Sequence, residues 1–190
     1  MNNFFNFVTN DSFLFLRRLL RLLGLNKYIF KLFFLNSDPE YYENHFKNLM
    51  ISKIKHDDCV WDIGANIGHY SIEFANNLSD QGEVISFEPS STNFEKLEAN
   101  TSKTKKISCK MIALSDKNEE ITMLQGDDNI GATTKVINEN KYNKTEKVFK
   151  INAIKGDELV SRNECSKPSF LKIDTEGYEY EILKGLESQL

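Results

Sequence analysis

The sequence predicts an α/β fold built on a doubly wound, mostly parallel sheet. Apolar strand patterns alternate with amphipathic helix patterns through residues 59–114, and this alternation is typical of βαβ units. Three apolar runs end in an acidic residue, at Asp62, Glu88 and Asp174, and each leads into a helix pattern. Because the carboxyl ends of parallel strands meet at one edge of a sheet, we expect the three carboxylates to lie near each other.

A glycine turn follows the first of these strands. It reads VWDIGANIG, so Gly64, Asn66 and Gly68 alternate with apolar residues just before a helix pattern. Glycines permit tight turning and close backbone approach, and the helix start offers free N–H groups. A dinucleotide site would need G-x-G-x-x-G, a pattern that Asn66 and His69 interrupt. The carboxylate of Asp62 would repel a pyrophosphate, and it suits a cationic ligand such as an ammonium or a sulfonium.

The pattern changes between residues 119 and 154. Three short β-runs separated by polar loops predict an antiparallel β insertion; they are residues 121–124, 133–137 and 148–154. The strand before the insertion is predicted as one segment, residues 107–114. The parallel pattern then returns with a strand at 170–174 and a helix at 178–190.

A helical N-terminal extension is predicted for residues 1–56, followed by the main domain at residues 57–190. Residues 12–23 read SFLFLRRLLRLL, which is a basic amphipathic helix pattern. Two interpretations stay open: a helix that covers a flank of the domain or a dimer partner, and a peripheral membrane contact through residues 12–35. A second amphipathic helix is predicted at residues 38–56.

The composition excludes several classes of protein. An apolar fraction of 40% and few prolines argue against disorder, and a net charge of −4 argues against a general nucleic-acid binder. The three cysteines form no C-x-x-C pair, which favours buried, reduced thiols in a cytoplasmic protein. The three histidines have no metal-ligand spacing, and we expect no metal site, no secretory signal and no membrane span.

Five stretches together resemble the FkbM-type family of S-adenosylmethionine-dependent methyltransferases. They read VWDIGANIGHYS, VISFEPS, IALSD, DNIGAT and FLKIDTEGYEYEILKG, in the order and spacing of that family from about residue 58 to about residue 187. The resemblance implies the Rossmann-like class I methyltransferase fold, S-adenosyl-L-methionine as cofactor, and O-methylation of a hydroxyl on a sugar or glycan. Two alternatives stay open, a non-catalytic or partner-completed cofactor-binding subunit and an NAD-dependent oxidoreductase.

The predicted cofactor contacts come from the strand ends and the glycine turn. They are Asp62, Gly64, Asn66, Gly68, Glu88, Ala113 and Asp116. Asp62 would interact with the ammonium group of the cofactor directly or through water, and Asn66 would hold its carboxylate. Glu88 would accept the ribose hydroxyls, as an acid at the end of a second strand can. Ala113 and Asp116 would flank the adenine.

The acceptor side is predicted at the D-x-E-G stretch, which the resemblance places at the active centre. Asp174 and Glu176 are the candidate catalytic residues, and either could accept a hydroxyl proton or orient the acceptor. The alternative for Glu176 is a solvated acid in the first turn of a helix, where the dipole favours it. Asn129 and Gly131, in the inserted segment, match a short family pattern and are candidates for acceptor contact.

The resemblance also implies further strands after the helix that begins at Gly177, whereas this chain stops at Leu190. Three C-terminal strands would then be missing, and the strand at 170–174 would lie at an exposed edge. The expectation is a fragment, a truncated reading frame, or a subunit whose sheet a partner or a second copy completes. Such a chain is not expected to be a stable, active monomer, because apolar side chains near the edge would be partly uncovered.

Overall fold

The computed structural model describes residues 39–124, 135–136, 148–175 and 177–190. Outside these residues lie the predicted helix at 12–23, Asn129, Gly131 and Glu176. The chain divides between Asn48 and Leu49 into two units. Both sheets belong to the second unit, and the predicted domain boundary at residue 56 stays a prediction. None of the helices in the described ranges is both long and apolar enough to cross a membrane.

Helices and strands alternate along most of the second unit. In chain order the described elements are α1 (Pro39–Ile51), β1 (Cys59–Ile63), α2 (His69–Asn77), β2 (Glu83–Phe87), α3 (Ser91–Thr101), β3 (Ile107–Lys110), β4 (Ala113–Ser115), β5 (Glu119–Leu124), β6 (Lys135–Val136), β7 (Val148–Lys155), α4 (Gly156–Ser161), β8 (Phe170–Ile173) and α5 (Glu179–Lys184). Helix α1 begins at Pro39, as predicted, because the N–H that proline lacks would be unpaired in a first turn anyway.

The first sheet is fully parallel, with the strand order β3-β2-β1-β8. Val60 in β1 lies opposite Val84 of β2 on one side and opposite Phe170 of β8 on the other. The chain moves outward from β1 to β3 and later returns to the other side of β1. At such a reversal in an open α/β sheet, a ligand crevice forms outside the carboxyl ends of the strands. The predicted doubly wound parallel sheet is confirmed.

Both faces of this sheet are buried, which explains why its strands read as continuous apolar runs. Alternate residues of β1 enter different cores: Trp61 packs with Phe87 and Leu186 on one face, and Val60 packs with Phe74 on the other. The rings of Trp61 and Phe87 have centroids 4.9 Å apart. Burying each of these large side chains contributes about 1.5–3 kcal/mol, so the strands that carry the site are firmly held.

The second sheet has the strand order β4-β7-β5-β6. Strand β5 is antiparallel to both β6 and β7, which confirms the antiparallel insertion. Strand β4 joins it in parallel with β7, with Ala113 opposite Ala153. Ala113, Ile121, Met123 and Ala153 form a small apolar core within this sheet.

The prediction of one strand over residues 107–114 is wrong. Lys110 still pairs with Phe87 in the first sheet, whereas Leu114 pairs with Ile154 in the second. Met111, between the two strands, is 45% exposed where the chain crosses from one sheet to the other. β4 is buried and β3 is half-buried to exposed, but no glycine or proline separates them in the sequence, so only the pairing partners reveal the break.

Helix α5 is shorter than the helix predicted at residues 178–190. It runs over Glu179–Lys184 and is followed by turns. Ile182 and Leu186 point inward as expected, but Leu183 is 39% exposed, contrary to the helical pattern. The end of this helix lies close to β4. A Cβ at Gly185 would come within 1.9 Å of the Ser115 carbonyl oxygen.

The cysteines are free thiols. Burial, with a smaller effect of Glu83, raises the pKa of Cys59 to about 12, and burial raises the pKa of Cys165 to about 11. Since the thiolate is the reactive form, we expect both to be alkylated at pH 8 on the order of 10²–10³ times more slowly in the native protein than in urea. Mass spectrometry of iodoacetamide-treated protein measures this, and equal rates in the two states would contradict the burial.

Candidate active site at the carboxyl ends of the parallel strands

The glycine turn after β1 is held between the ends of two neighbouring strands. Three of its residues have positive φ: Gly64 (76°), Asn66 (51°) and Gly68 (90°). The N–H groups of Gly64 and Ala65 both donate to the Phe87 carbonyl oxygen, at 3.0 Å each. On the other side, a Cβ at Gly64 would lie 2.1 Å from the Asp174 carbonyl oxygen. The turn therefore requires glycine at position 64 for both its conformation and its close contact with the end of β8.

Asp62 is buried in a polar network that crosses the first sheet. Its side chain is fully buried, and its Oδ2 accepts a hydrogen bond of 2.6 Å from the Ser71 hydroxyl, which accepts one of 2.8 Å from the Ser86 hydroxyl. Its Oδ1 lies 3.0 Å from the ammonium of Lys172. Oδ1 has this ion-pair contact but no hydrogen bond from the described residues. The predicted role of Asp62 toward a ligand ammonium stays a prediction.

Lys172 is a site residue that sequence reasoning missed. It is 8% exposed in the middle of β8. Its Nζ lies 3.1 Å from the Gly64 carbonyl oxygen and 3.5 Å from Asp174 Oδ2, in addition to its contact with Asp62. The ring of Tyr70 lies below it, 5.0 Å from Nζ to the centroid. The one available signal was a single cation inside the apolar run FLKI.

Glu88 lies at the end of β2, is 5% exposed and faces the glycine turn. Its Oε2 accepts a hydrogen bond of 2.9 Å from the Asn66 N–H, and its Oε1 accepts one of 2.9 Å from the Ser90 N–H. Burial raises the pKa of Glu88 above its ordinary value, and these two hydrogen bonds, with a third from the Asn93 side chain, only partly oppose the shift. The Asn66 amide oxygen is also buried, and it has no hydrogen-bond partner among the described residues.

Asp174 lies at the opposite side of the glycine turn, directly after β8. Its backbone N–H donates to the Ile63 carbonyl oxygen at 3.0 Å, while its side chain is 73% exposed. Only Lys172 approaches it closely, at 3.5 Å, within the described ion pairs. The chain then turns at Gly177, whose N–H donates to the Glu179 carboxylate at 3.2 Å. The other candidate acid, Glu176, falls outside the described residues.

Ala113 and Asp116 belong to the second sheet and the segment that follows β4. Ala113 is buried in the small core of that sheet. Asp116 lies 3.0 Å from the ammonium of Lys184, and the hydrogen bond from Lys184 lowers the pKa of Asp116. A contact of 3.0 Å between the Ser115 and Tyr178 hydroxyls joins this segment to the start of α5. Their predicted place beside an adenine stays a prediction.

The charges at this edge suit a ligand that carries hydroxyl groups and positive charge. Asp62 and Lys172 compensate each other, which leaves the carboxylates of Glu88 and Asp174 on either side of the turn. The Asn66 side-chain amide adds neutral hydrogen-bonding capacity, whereas the N–H groups of Gly64, Ala65 and Gly68 are already bonded within the protein. In the described part of the chain, no group of His, Cys, Asp and Glu side chains is arranged to hold a metal ion.

Comparisons with known proteins give a curated relative, several solved structures and a family model. The hexuronic acid methyltransferase AglP of Haloferax volcanii is 32% identical over 143 residues, which cover 75% of this chain and 55% of that protein. The chain thus spans about half the length of this curated relative. Among solved structures, the precorrin-6y C5,15-methyltransferase of Geobacter metallireducens GS-15 has a TM-score of 0.44 and 15% identity, over 76% of this chain and 55% of that chain.

A second solved structure is coclaurine N-methyltransferase bound to N-methylheliamine and SAH. Its TM-score is 0.35 and its identity 16%, over 40% of this chain and 23% of that chain. The family model described as the methyltransferase FkbM domain matches residues 62–190, from the buried acid of β1 to the last residue. Because that match covers more than half of the chain, the protein belongs to the FkbM methyltransferase domain family, with a Rossmann-like sheet of the class I methyltransferase type.

Proposed function

We propose that this protein transfers the methyl group of S-adenosyl-L-methionine to a hydroxyl group of a sugar or glycan. The observation that carries the proposal is the meeting of three strand ends. The turn at Gly64 is bonded to the end of β2 and packed against the end of β8, so that Glu88 and Asp174 flank it. The sugar class is supported by the relative from Haloferax volcanii, whose name gives hexuronic acid as its acceptor.

The residues of the turn fit this cofactor. Each oxygen of the Glu88 carboxylate accepts one backbone hydrogen bond and the Asn93 side chain supplies a third, so the remaining acceptor capacity can take a ribose hydroxyl. The side chain of Asn66 has unused hydrogen-bonding capacity for the amino-acid end of the cofactor. Glycine at position 64 lets the turn pack directly against the end of β8, because a Cβ there would lie 2.1 Å from the Asp174 carbonyl oxygen.

The residues on the acceptor side can support methyl transfer to oxygen. When bound, S-adenosylmethionine supplies an electrophilic methyl group, which the acceptor oxygen takes while the sulfur keeps the electron pair of the broken bond. Asp174 accepts the proton that the hydroxyl loses, and its exposed carboxylate can then release that proton to water. Glu176 is the second acid of this proposal. Holding the two reactants aligned is the largest contribution that such a site makes, on the order of 7–11 kcal/mol.

We expect S-adenosylhomocysteine to bind the protein and NAD not to bind, and calorimetry with both ligands tests this. Glu88→Ala should weaken S-adenosylhomocysteine binding by about 1.5–3 kcal/mol, the scale of a hydrogen bond to a charged group. Protonation of Glu88 should weaken binding as the pH is lowered. Because burial raises the pKa of Glu88, this loss of affinity should begin at a higher pH than it would with an ordinary glutamate. Glu88→Gln should remove that pH dependence.

The matched control is Glu83→Ala, because Glu83 begins the same strand at the opposite edge of the sheet. Its affinity should equal that of the wild type. Equal losses in Glu88→Ala and Glu83→Ala would contradict the ribose assignment. Preferential binding of NAD would replace the proposed activity with the oxidoreductase alternative.

The acceptor is tested by methyl transfer from labelled S-adenosylmethionine to a panel of neutral and acidic sugars and glycans. Label on a sugar oxygen is the expected product. Cofactor binding without turnover on any of them would favour a non-catalytic cofactor-binding subunit. A cytoplasmic location is part of the proposal. For residues 12–35 both alternatives stay open, a helix that covers a flank of the domain or a dimer partner and a peripheral membrane contact.

A further inference from the structure

We propose that Lys172 is a positioning residue that sets the charge of the methyl-transfer site, an inference that rests on the proposed function. The ammonium of Lys172 lies between the fully buried carboxylate of Asp62 and the exposed carboxylate of Asp174. It also lies 3.1 Å from the Gly64 carbonyl oxygen of the glycine turn. One buried cation therefore contacts the cofactor side and the acceptor side of the same edge.

The position of this cation is closely defined. Lys172 is more than nine-tenths buried, and its side chain lies over the face of Tyr70 with Nζ 5.0 Å from the ring centroid. Such a cation–π contact stabilises an ammonium that has left water. Nζ donates a hydrogen bond to the Gly64 carbonyl oxygen and lies within ion-pair distance of the Asp62 and Asp174 carboxylates.

The balance of charge at the edge depends on this residue. Asp62 is fully buried and has one other polar partner, the Ser71 hydroxyl, among its described contacts. Without Lys172, a buried negative charge would be uncompensated, and removing one partner of such a pair is strongly destabilising. Asp174 would add a second negative charge on the same side of the turn.

This balance matters for the proposed reaction because methyl transfer discharges a cation. The sulfonium of the cofactor is positive before the reaction, and the thioether product is neutral. Surplus negative charge would stabilise the sulfonium more in the ground state than in the transition state, where its charge is already dispersing, and would slow the reaction. We infer that Lys172 offsets Asp62, so that the site holds the cofactor without over-stabilising its charge.

The ratio of the dissociation constants of S-adenosylhomocysteine and S-adenosylmethionine measures this effect. The two ligands differ in the methyl group and its charge, so losses of shape or of shared hydrogen bonds largely cancel in the ratio. Lys172→Met should raise the ratio on the order of tenfold, because the loss of a nearby positive charge favours the cationic ligand. It should also lower kcat.

The opposite charge change should have the opposite effect. Asp62→Asn leaves Lys172 with the exposed Asp174 carboxylate alone and should lower the ratio. The double variant Asp62→Asn/Lys172→Met should return it close to the wild-type value. Lys172→Arg keeps the charge and should retain the wild-type ratio. Thermal unfolding of each variant shows how far stability changes alongside the ratio.

Lys106→Met is the matched control. Lys106 is also largely buried and donates to the Leu78 carbonyl oxygen at 2.6 Å, but it lies just before β3, at the opposite edge of the first sheet. Its loss should lower stability and leave the ratio unchanged. A ratio that moves in the same direction in Lys172→Met and Asp62→Asn, or that does not move in either, would overturn the inference. If the wild type binds neither ligand, the proposed function itself fails.

Discussion

Asp174→Asn is expected to lower kcat by about 10²–10⁴-fold, the contribution typical of a general base. The amide is isosteric with the carboxylate and keeps the backbone bond from position 174 to the Ile63 carbonyl oxygen. The 73% exposure of the Asp174 side chain indicates a group at the mouth of the site and not a buried support. Affinity for S-adenosylhomocysteine should therefore stay within about threefold of the wild type, well below a loss of 1.4 kcal/mol. Single-turnover methyl transfer and calorimetry measure the two quantities.

Asp80→Asn is the control for this substitution. Asp80 is a fully exposed carboxylate in the turn before β2, at the edge of the sheet away from the glycine turn. Its kcat should be unchanged. If Asp174→Asn instead abolishes cofactor binding and leaves saturated turnover intact, Asp174 belongs to the cofactor-binding side and Glu176 becomes the leading candidate base.

Gly64→Ala is expected to destabilise the protein by about 2–5 kcal/mol and to abolish binding of S-adenosylhomocysteine. The φ of 76° costs an alanine roughly 1–2 kcal/mol, and its Cβ would meet the Asp174 carbonyl oxygen at 2.1 Å. A backbone carbonyl cannot move aside as a flexible side chain can, so β1 and β8 would have to separate at the site. Urea unfolding gives the free energy, and calorimetry gives the binding.

Gly177→Ala separates the conformational cost of a positive φ from the cost of the steric contact. Gly177 has a similar φ of 87°, but a Cβ there would meet no atom of the described residues within 4 Å, chain neighbours aside. We expect the free energy of unfolding of this variant to fall only by the conformational cost, roughly 1–2 kcal/mol. Equal destabilisation of the two variants would show that the contact between the glycine turn and Asp174 contributes little.

Much of the fold could be predicted because it depends on local patterns. The apolar runs of β1 and β2, their acidic ends and the glycine turn are each encoded within about ten consecutive residues. The short apolar runs of β5 and β7 are also encoded locally, by a change in the period of the apolar pattern. These features specified a parallel sheet with an antiparallel insertion, and the structure has both.

Other features depend on partners that are distant in the chain. The run at 107–114 divides between two sheets, although neither half differs in apolar character. Leu183 repeats at helical spacing yet is exposed, because the helix ends at Lys184 and only one of its faces meets the core. Local periodicity records that a residue is apolar, and it does not record which surface covers it.

The site likewise has features that local patterns predict and features that depend on residues distant in the chain. By itself the sequence determined which residues stand at the strand ends: the glycine turn, Glu88 and Asp174. Only the tertiary structure decided how charge is distributed among them, because Lys172 and Asp62 are more than a hundred residues apart and meet through the pairing of β8 with β1. The cost of burying an ion falls only when its partner is within a few ångströms. That distance is a property of the folded sheet, and no local pattern contains it.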